Sequence, residues 1–164
     1  MNPWKKFLLG VSSTRFGGAL MKVSSVHIDP FLFKASGGRF TSIGPTVIPQ
    51  LLLTTTGRKS GQKREAQLVY TDVDGEVYIV ASNFGGKNHP AWSHNLDADP
   101  DATMQIKSEP IAVRAELLND GEKEAVWDQL VDNIPNYRVY KQRTDRNIKV
   151  YRLRPCGGQT ATDR

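Results

Sequence analysis

A chain of 164 residues, 38% apolar and 24% charged, has the length and composition of one soluble globular domain with its own core and needs no second domain. Its net charge of +5 favours acidic ligands or surfaces, and its single cysteine, Cys156, excludes an intrachain disulfide and fits a reducing compartment. None of His27, His89 and His94 falls in an H-E-x-x-H or C-x-x-C arrangement, which argues against metal catalysis, and the lack of a G-x-S-x-G elbow argues against a serine hydrolase.

At the amino end the apolar run Phe7-Leu8-Leu9 is too short for a secretory leader or a membrane span, which points to a cytoplasmic protein. Trp4, Phe7, Leu8 and Val11 recur at helical spacing beside Lys5 and Lys6. That pattern suits a helix packed on its own domain or a sister subunit, and it also suits a helix resting on the anionic inner face of the membrane. Met21 to Thr46, with Gly37-Gly38 and Gly44-Pro45, reads as a partly ordered arm. Residues 1–46 are therefore expected to form a helix and arm, 47–155 the main domain, and 156–164 a flexible tail.

Gln50 to Thr56 is a β-rich run, and it leads into Gly57-Arg58-Lys59-Ser60-Gly61-Gln62-Lys63-Arg64. Glycines that can adopt φ > 0, free backbone amides, a hydroxyl and four cations make this turn an anion cradle, although the same residues also suit a solvated hairpin tip. Arg58 and Arg64 can each clamp a phosphate or carboxylate through two bonds, with Lys59 as a point charge. The turn is not a nucleotide P-loop, because Arg58 and Thr54 stand where that motif needs glycine.

Arg64 to Val73 and Glu76 to Ser82 read as a hairpin about Asp74-Gly75. Val80 to Lys87 ends that strand in small and polar residues with paired glycines. Pro90 to Ala98 reads as a short helix, with His89 at its start and His94 packed or bonded locally. Ala102 to Ser108 and Ile111 to Leu118 form a second hairpin. Asn119 with Glu122 starts a helix whose Val126, Leu130 and Ile134 share one face and which Pro135 stops. Asn147 to Leu153 closes the set as a sixth strand. Six strands in sequential hairpins, with no G-x-G-x-x-G, predict a mainly β fold, a small antiparallel barrel with flanking helices. The basic residues from Arg138 to Arg154 accompany no RNA-binding, zinc-finger or helix-turn-helix signature, so they read as a solvated face and no nucleic-acid partner is expected.

Taken together and in order, TTTGRKSGQKR, VASNFGGKNHPAWSHNLDADP and YRVYKQRTDR resemble the deazaflavin-dependent nitroreductase family of actinobacteria, over roughly Gln50 to Pro155. The resemblance implies a six-stranded split β-barrel that binds coenzyme F420 and transfers a hydride from reduced F420H2 to an electron-poor small molecule. It implies that Arg58, Lys59 and Ser60 hold the phosphate and acidic tail with Arg64 alongside, and that Glu65, Ala66, Gln67, Leu68 and Val69 run beside the deazaflavin. Val80, Ala81, Ser82 and Asn83 would meet the ring, and Ala91, Trp92, Ser93, His94 and Asn95 would complete the pocket. Tyr137 matches a family tyrosine near cofactor and substrate. Tyr137 and Tyr140 would orient the acceptor or relay a proton, and Ser82 would polarise it. The chain departs from the family pattern at Gln67, where proline is common, and at Val69 and Ser93, which replace aromatics of some members. Ile134 stands where a tyrosine helps bind nitroimidazoles, so a quinone or another activated alkene or ketone is expected over a nitroimidazole. An FMN-dependent oxidoreductase on the same barrel, and a non-catalytic F420-binding or basic interaction module, remain as alternatives. The sequence leaves monomer and homodimer both open.

Overall fold

The computed structural model describes residues 3–12, 14, 29–37, 40–41, 44–45, 48–107 and 109–157. Helices α1 (Pro3–Ser12) and α2 (Asp29–Ser36) and the short strands β1 (Phe40–Thr41) and β2 (Gly44–Pro45) come first. Then follow β3 (Gln50–Thr56), β4 (Lys63–Val73), β5 (Glu76–Val80), a 3-10 turn at Asn83–Gly85, and α3 (Ala91–Ala98). The chain continues through β6 (Asp101–Gln105), β7 (Pro110–Leu117), α4 (Asp120–Asn133), α5 (Asn136–Gln142) and β8 (Val150–Pro155).

Strands β3 to β8 form a closed antiparallel barrel in the order β3-β4-β5-β8-β7-β6, which bears out the predicted split-barrel architecture. The β4–β5 hairpin turns at Asp74 (φ +53°) and Gly75 (φ +83°), the paired left-handed conformation that Asp-Gly favours. Alternation along the strands sorts the side chains into two cores. Val77 and Ile79 join Leu51, Leu53, Met104 and Tyr151 inside the barrel. Tyr78 and Val80, between and after them, face the other way and meet Leu130, Val131, Tyr137 and Tyr140 from α4 and α5. The register Leu51 to Leu68 and Leu53 to Ala66 places Leu52 and Gln67 together on the opposite face of the β3–β4 pair.

Helix α4 starts with a capping box: the Asn119 side chain accepts from the Glu122 amide at 3.0 Å, and Glu122 accepts from the Asn119 amide at 2.9 Å. Pro135 stops α4 as expected, but it also opens α5, because proline at a helix start sacrifices no hydrogen bond. Several strand limits differ from expectation by a residue or more, most of all in β5, β6 and β8. β5 ends at Val80 because the Ser82 amide turns back onto the Val80 carbonyl at 2.8 Å. β6 ends at Gln105, and β8 begins at Val150 and runs on to Pro155 beside β7. The arm holds a helix of its own, α2, with Phe33 fully buried and Phe31 exposed. α1 is helical as expected, with Phe7 exposed, while the side chains of Trp4 and Leu8 and the tail after Gly157 lie outside the described residues. Cys156 is exposed. Among the described residues no helix is long and apolar enough to cross a membrane.

Candidate active site

The turn after β3 is shaped by glycine and anchored by α3. The Gly57 amide donates to the Gln62 carbonyl at 2.8 Å, and the Gly57 carbonyl accepts from Gly61 at 2.7 Å and Ser60 at 3.1 Å. A Cβ on Gly57 would lie 2.9 Å from Ser60 Oγ and 3.0 Å from the Gln62 carbonyl oxygen, so only glycine fits there without displacing backbone. Asn95, buried on α3, accepts from the Arg58 amide at 3.1 Å and donates to the Thr55 hydroxyl at 3.0 Å. The helix thereby holds the turn to the barrel.

Arg58, Lys59, Lys63 and Arg64 are all exposed, and none forms an ion pair among the described residues. Lys63 and Arg64 reach only the neutral oxygens of Thr56 and Gln62, each at 3.2 Å. The neighbouring carboxylate, Glu65, is instead paired with Lys34 of α2 at 2.5 Å. Four cations on one turn without a carboxylate partner form a site of uncompensated positive charge.

At the opposite end, Asn83, Phe84 and Gly85 sit at φ +47°, +55° and +76°. Consecutive left-handed residues that are not glycine carry strain and persist only where their surroundings hold them. Asn83 Nδ2 donates to the Asn88 carbonyl at 2.8 Å, and the Phe84 ring meets Tyr140 edge-on at 5.9 Å. Gly85 lies so close to α5 that a Cβ would fall 2.9 Å from Arg143 Cβ. Arg146 supplies the remaining hold: its guanidinium donates to the carbonyls of Ser82 at 2.6 Å and Gly86 at 3.0 Å, and lies 3.1 Å from His89 Nδ1.

Helix α5 covers this end with Tyr137 and Tyr140, both buried. Burial, with a smaller push from Tyr140, holds the Tyr137 phenol far above its ordinary range, so it stays protonated. Asn136 Nδ2 lies 3.4 Å from the Tyr140 hydroxyl.

The turn, the first half of β4, the strained loop, α3 and α5 enclose a cleft of about 1050 Å³. Arg58, Lys59, Ser60 and Arg64 line its basic end, and Glu65, Ala66, Gln67, Leu68 and Val69 run along it. Val80, Ser82 and Asn83 meet it from the end of β5, Ala91, Trp92, His94 and Asn95 from α3, and Tyr137 and Tyr140 from α5. Two expected residues do not line it. Ala81 is fully buried, its amide on the Lys149 carbonyl at 2.9 Å, and Ser93 is fully buried with its hydroxyl 2.8 Å from Tyr151 Oη. Asn83 and Asn95 spend their amides on backbone and side-chain neighbours, so they shape the cleft as well as lining it. Gln67 is 6% exposed, its amide nitrogen donates to Gln50, and its Oε1 has no hydrogen-bond partner.

Sequence reasoning missed His89, Phe84, Thr55 and Ile48, all of which line the cleft, and it read Ile134 as part of a helix's apolar face and as a departure from the family pattern, not as a cleft wall. The signal for His89 lay in its place between the glycine pair and Pro90. Nothing in the sequence connects it to Arg146, 57 residues later.

The profile of the family described as F420H(2)-dependent quinone reductase matches residues 32–155. An F420H(2)-dependent quinone reductase of Mycobacterium tuberculosis is 34% identical over 132 residues, which span 78% of this chain and 88% of that protein. The solved structure of an F420-H2 dependent reductase, FDR-A, matches with a TM-score of 0.59 at 36% identity, over 64% of this chain and 93% of that one. A structure described as a domain-swapped dimer matches with a TM-score of 0.61 at 31% identity, over 76% and 94%. The chain belongs to the F420H2-dependent quinone reductase family, an oxidoreductase family whose cofactor is coenzyme F420.

Proposed function

We propose that the acceptor of this F420H2-dependent reductase is a quinone, bound between Tyr137, Tyr140 and the end of β5. The observation that carries the reading is the polarity of one cleft: a basic, glycine-cradled end without carboxylate partners, and a far end walled by Val80, Ile134 and two buried tyrosines. The cleft fits the cofactor on its own features. Uncompensated cations at Arg58, Lys59 and Arg64, with Ser60, suit a phosphate and an acidic tail through charge-assisted bonds. The close-packed backbone at Gly57 holds that turn in shape, and the orphaned Gln67 carbonyl leaves a polar atom on the β4 wall to be satisfied when the site is filled. Glu65, Ala66, Leu68 and Val69, with Trp92 and His94, would flank the ring.

When bound and reduced, the deazaflavin supplies a hydride. The chain's own residues do the rest. Tyr137 keeps its proton and offers a hydrogen bond, Tyr140 and Ser82 face the same space, and the apolar walls exclude water. Ile134 gives a flat, apolar acceptor a surface to lie on and offers no side-chain hydrogen bond to a nitro group. As finer readings, the related domain-swapped dimer supports a homodimer, and exposed Phe7 beside exposed Lys6 supports a peripheral membrane contact through α1.

The test is a fluorescence titration with oxidised F420 and, in parallel, FMN, followed by steady-state oxidation of F420H2 with a soluble naphthoquinone or a nitroimidazole. F420 should bind with an affinity that weakens as salt rises, and the naphthoquinone should be reduced faster. Saturable binding of FMN alone, or faster turnover of the nitroimidazole, would overturn the reading.

A further inference from the structure

We infer that His89 is a specificity-determining hydrogen-bond donor to the acceptor, held as its Nε2–H tautomer by Arg146. This rests on reading the far end of the cleft as the acceptor site. A guanidinium can only donate, so the contact of 3.1 Å between Arg146 and His89 Nδ1 makes Nδ1 an acceptor. The one hydrogen of the neutral ring is then on Nε2. The same guanidinium holds the Ser82 carbonyl at 2.6 Å and the Gly86 carbonyl at 3.0 Å, so the imidazole is fixed at the end of the cleft where β5 stops. His89 is part-buried and lines the cleft, and its ring meets that of His94 edge-on at 5.9 Å.

The charges around the ring favour the neutral form. Burial comes first in lowering the pKa of His89, followed by Arg146, Lys149 and His94. Asp97 pulls the other way, but its carboxylate is already engaged by Lys149 at 2.7 Å and Tyr151 at 2.8 Å. A purely structural tie between Arg146 and the loop would need only the two backbone carbonyls. The third contact fixes the tautomer of a ring that lines the cleft.

In the reaction, a hydride joins the quinone and negative charge gathers on a carbonyl oxygen. The His89 Nε2–H bonds to that oxygen and keeps its hydrogen, while a water molecule protonates the oxyanion and completes the hydroquinone. The hydroxide left by that water is taken up by bulk solvent, so hydride, proton and electron pair balance.

The test starts with the long-range proton–nitrogen spectrum of the 15N-labelled protein, with the His89 ring assigned by loss of its signals in His89→Gln. The expected result at pH 7 is a neutral ring protonated at Nε2, whose Nε2 resonance moves on addition of the naphthoquinone. An imidazolium, or a ring protonated at Nδ1, would overturn the inference without reference to activity. In turnover, His89→Phe should lower kcat/KM for the naphthoquinone by about 100-fold, with the F420 Kd within about twofold of wild type. His89→Gln, whose amide reaches the position of Nε2, should recover part of the loss. Wild-type rates in His89→Phe would sink this inference alone. A wild-type protein that reduces no quinone would sink the acceptor reading first.

Discussion

Asn95 tests whether the basic turn binds through its own residues or through the shape that α3 imposes on it. In Asn95→Ala the Arg58 amide loses its acceptor and the Thr55 hydroxyl loses one of two partners, retaining its weak bond to the Arg64 carbonyl at 3.4 Å. Two buried or half-buried hydrogen bonds at about 1 kcal/mol each, plus the packing of a buried side chain, give a stability loss of about 2–3 kcal/mol. The effect on binding is separate. The Gly57 to Gln62 bond survives, so only Arg58 and Lys59 regain freedom, and ordering them again would cost about 1–2 kcal/mol for each residue. The total of about 2–4 kcal/mol, at 1.4 kcal/mol per decade, means F420 affinity should fall by roughly 30- to 700-fold. The assay is a fluorescence titration of the cofactor at low temperature, paired with urea unfolding so that only folded protein is compared. A deazaflavin without phosphate or glutamates supplies the control and should bind Asn95→Ala as it binds wild type. If the variant folds and binds full-length F420 within twofold of wild type, the turn needs no anchor and the reasoning fails. If it loses the tail-less chromophore equally, Asn95 touches the ring itself.

Tyr140→Phe should lower kcat more than F420 affinity, since the hydroxyl lies toward the acceptor end, and equal losses in both would argue against that placement. Asp97 carries a pH signature. Burial works to raise its pKa, but hydrogen bonds from Lys149 and Tyr151 outweigh this and hold it below the ordinary carboxylate value. A depressed folded pKa contributes stability that is present above about pH 4 and lost as pH falls through the folded value. Asp97→Asn should therefore be less stable than wild type at pH 7 and approach it as pH falls below the ordinary carboxylate value and through the folded one, and a gap that does not narrow in urea melts would contradict this. Asn119→Ala opens the capping box of α4 and should cost about 1 kcal/mol in the same melts, with no change in F420 affinity.

What could be read in the sequence was local. Asp74-Gly75 dictates a hairpin because both residues tolerate positive φ, and Asn119 with Glu122 marks a helix start because each can satisfy the other's amide. The basic turn was legible for the same reason, since its chemistry sits within eight consecutive residues. What could not be read depends on distance along the chain. Ser93 looks like a pocket residue beside Trp92, yet Tyr151, 58 residues later, draws its hydroxyl into the core. Asn95 looks like a ring contact until Thr55 and Arg58 are found on its amide. The loop at Asn83 looks like a flexible glycine-rich turn, and only Arg146, Arg143 and Tyr140 reveal why it holds a strained conformation. The family resemblance supplied the cofactor and most of the cleft wall, but no local pattern could assign the tautomer of His89.

The strand order gives the site a history as well as a shape. β8 comes last in sequence but lies between β5 and β7, and the segment just before it carries Arg146. During synthesis the β3-β4-β5 sheet therefore emerges with β5 exposing an unpaired edge, and waits for the carboxyl-terminal part of the chain to fill it. Until that strand docks there is no closed barrel and no guanidinium to gather Ser82, Gly86 and His89. A chain shortened before Arg146 thus keeps the Asn95 ties that shape its basic turn, while the loop at the other end of the cleft loses its ties to Ser82, Gly86 and His89.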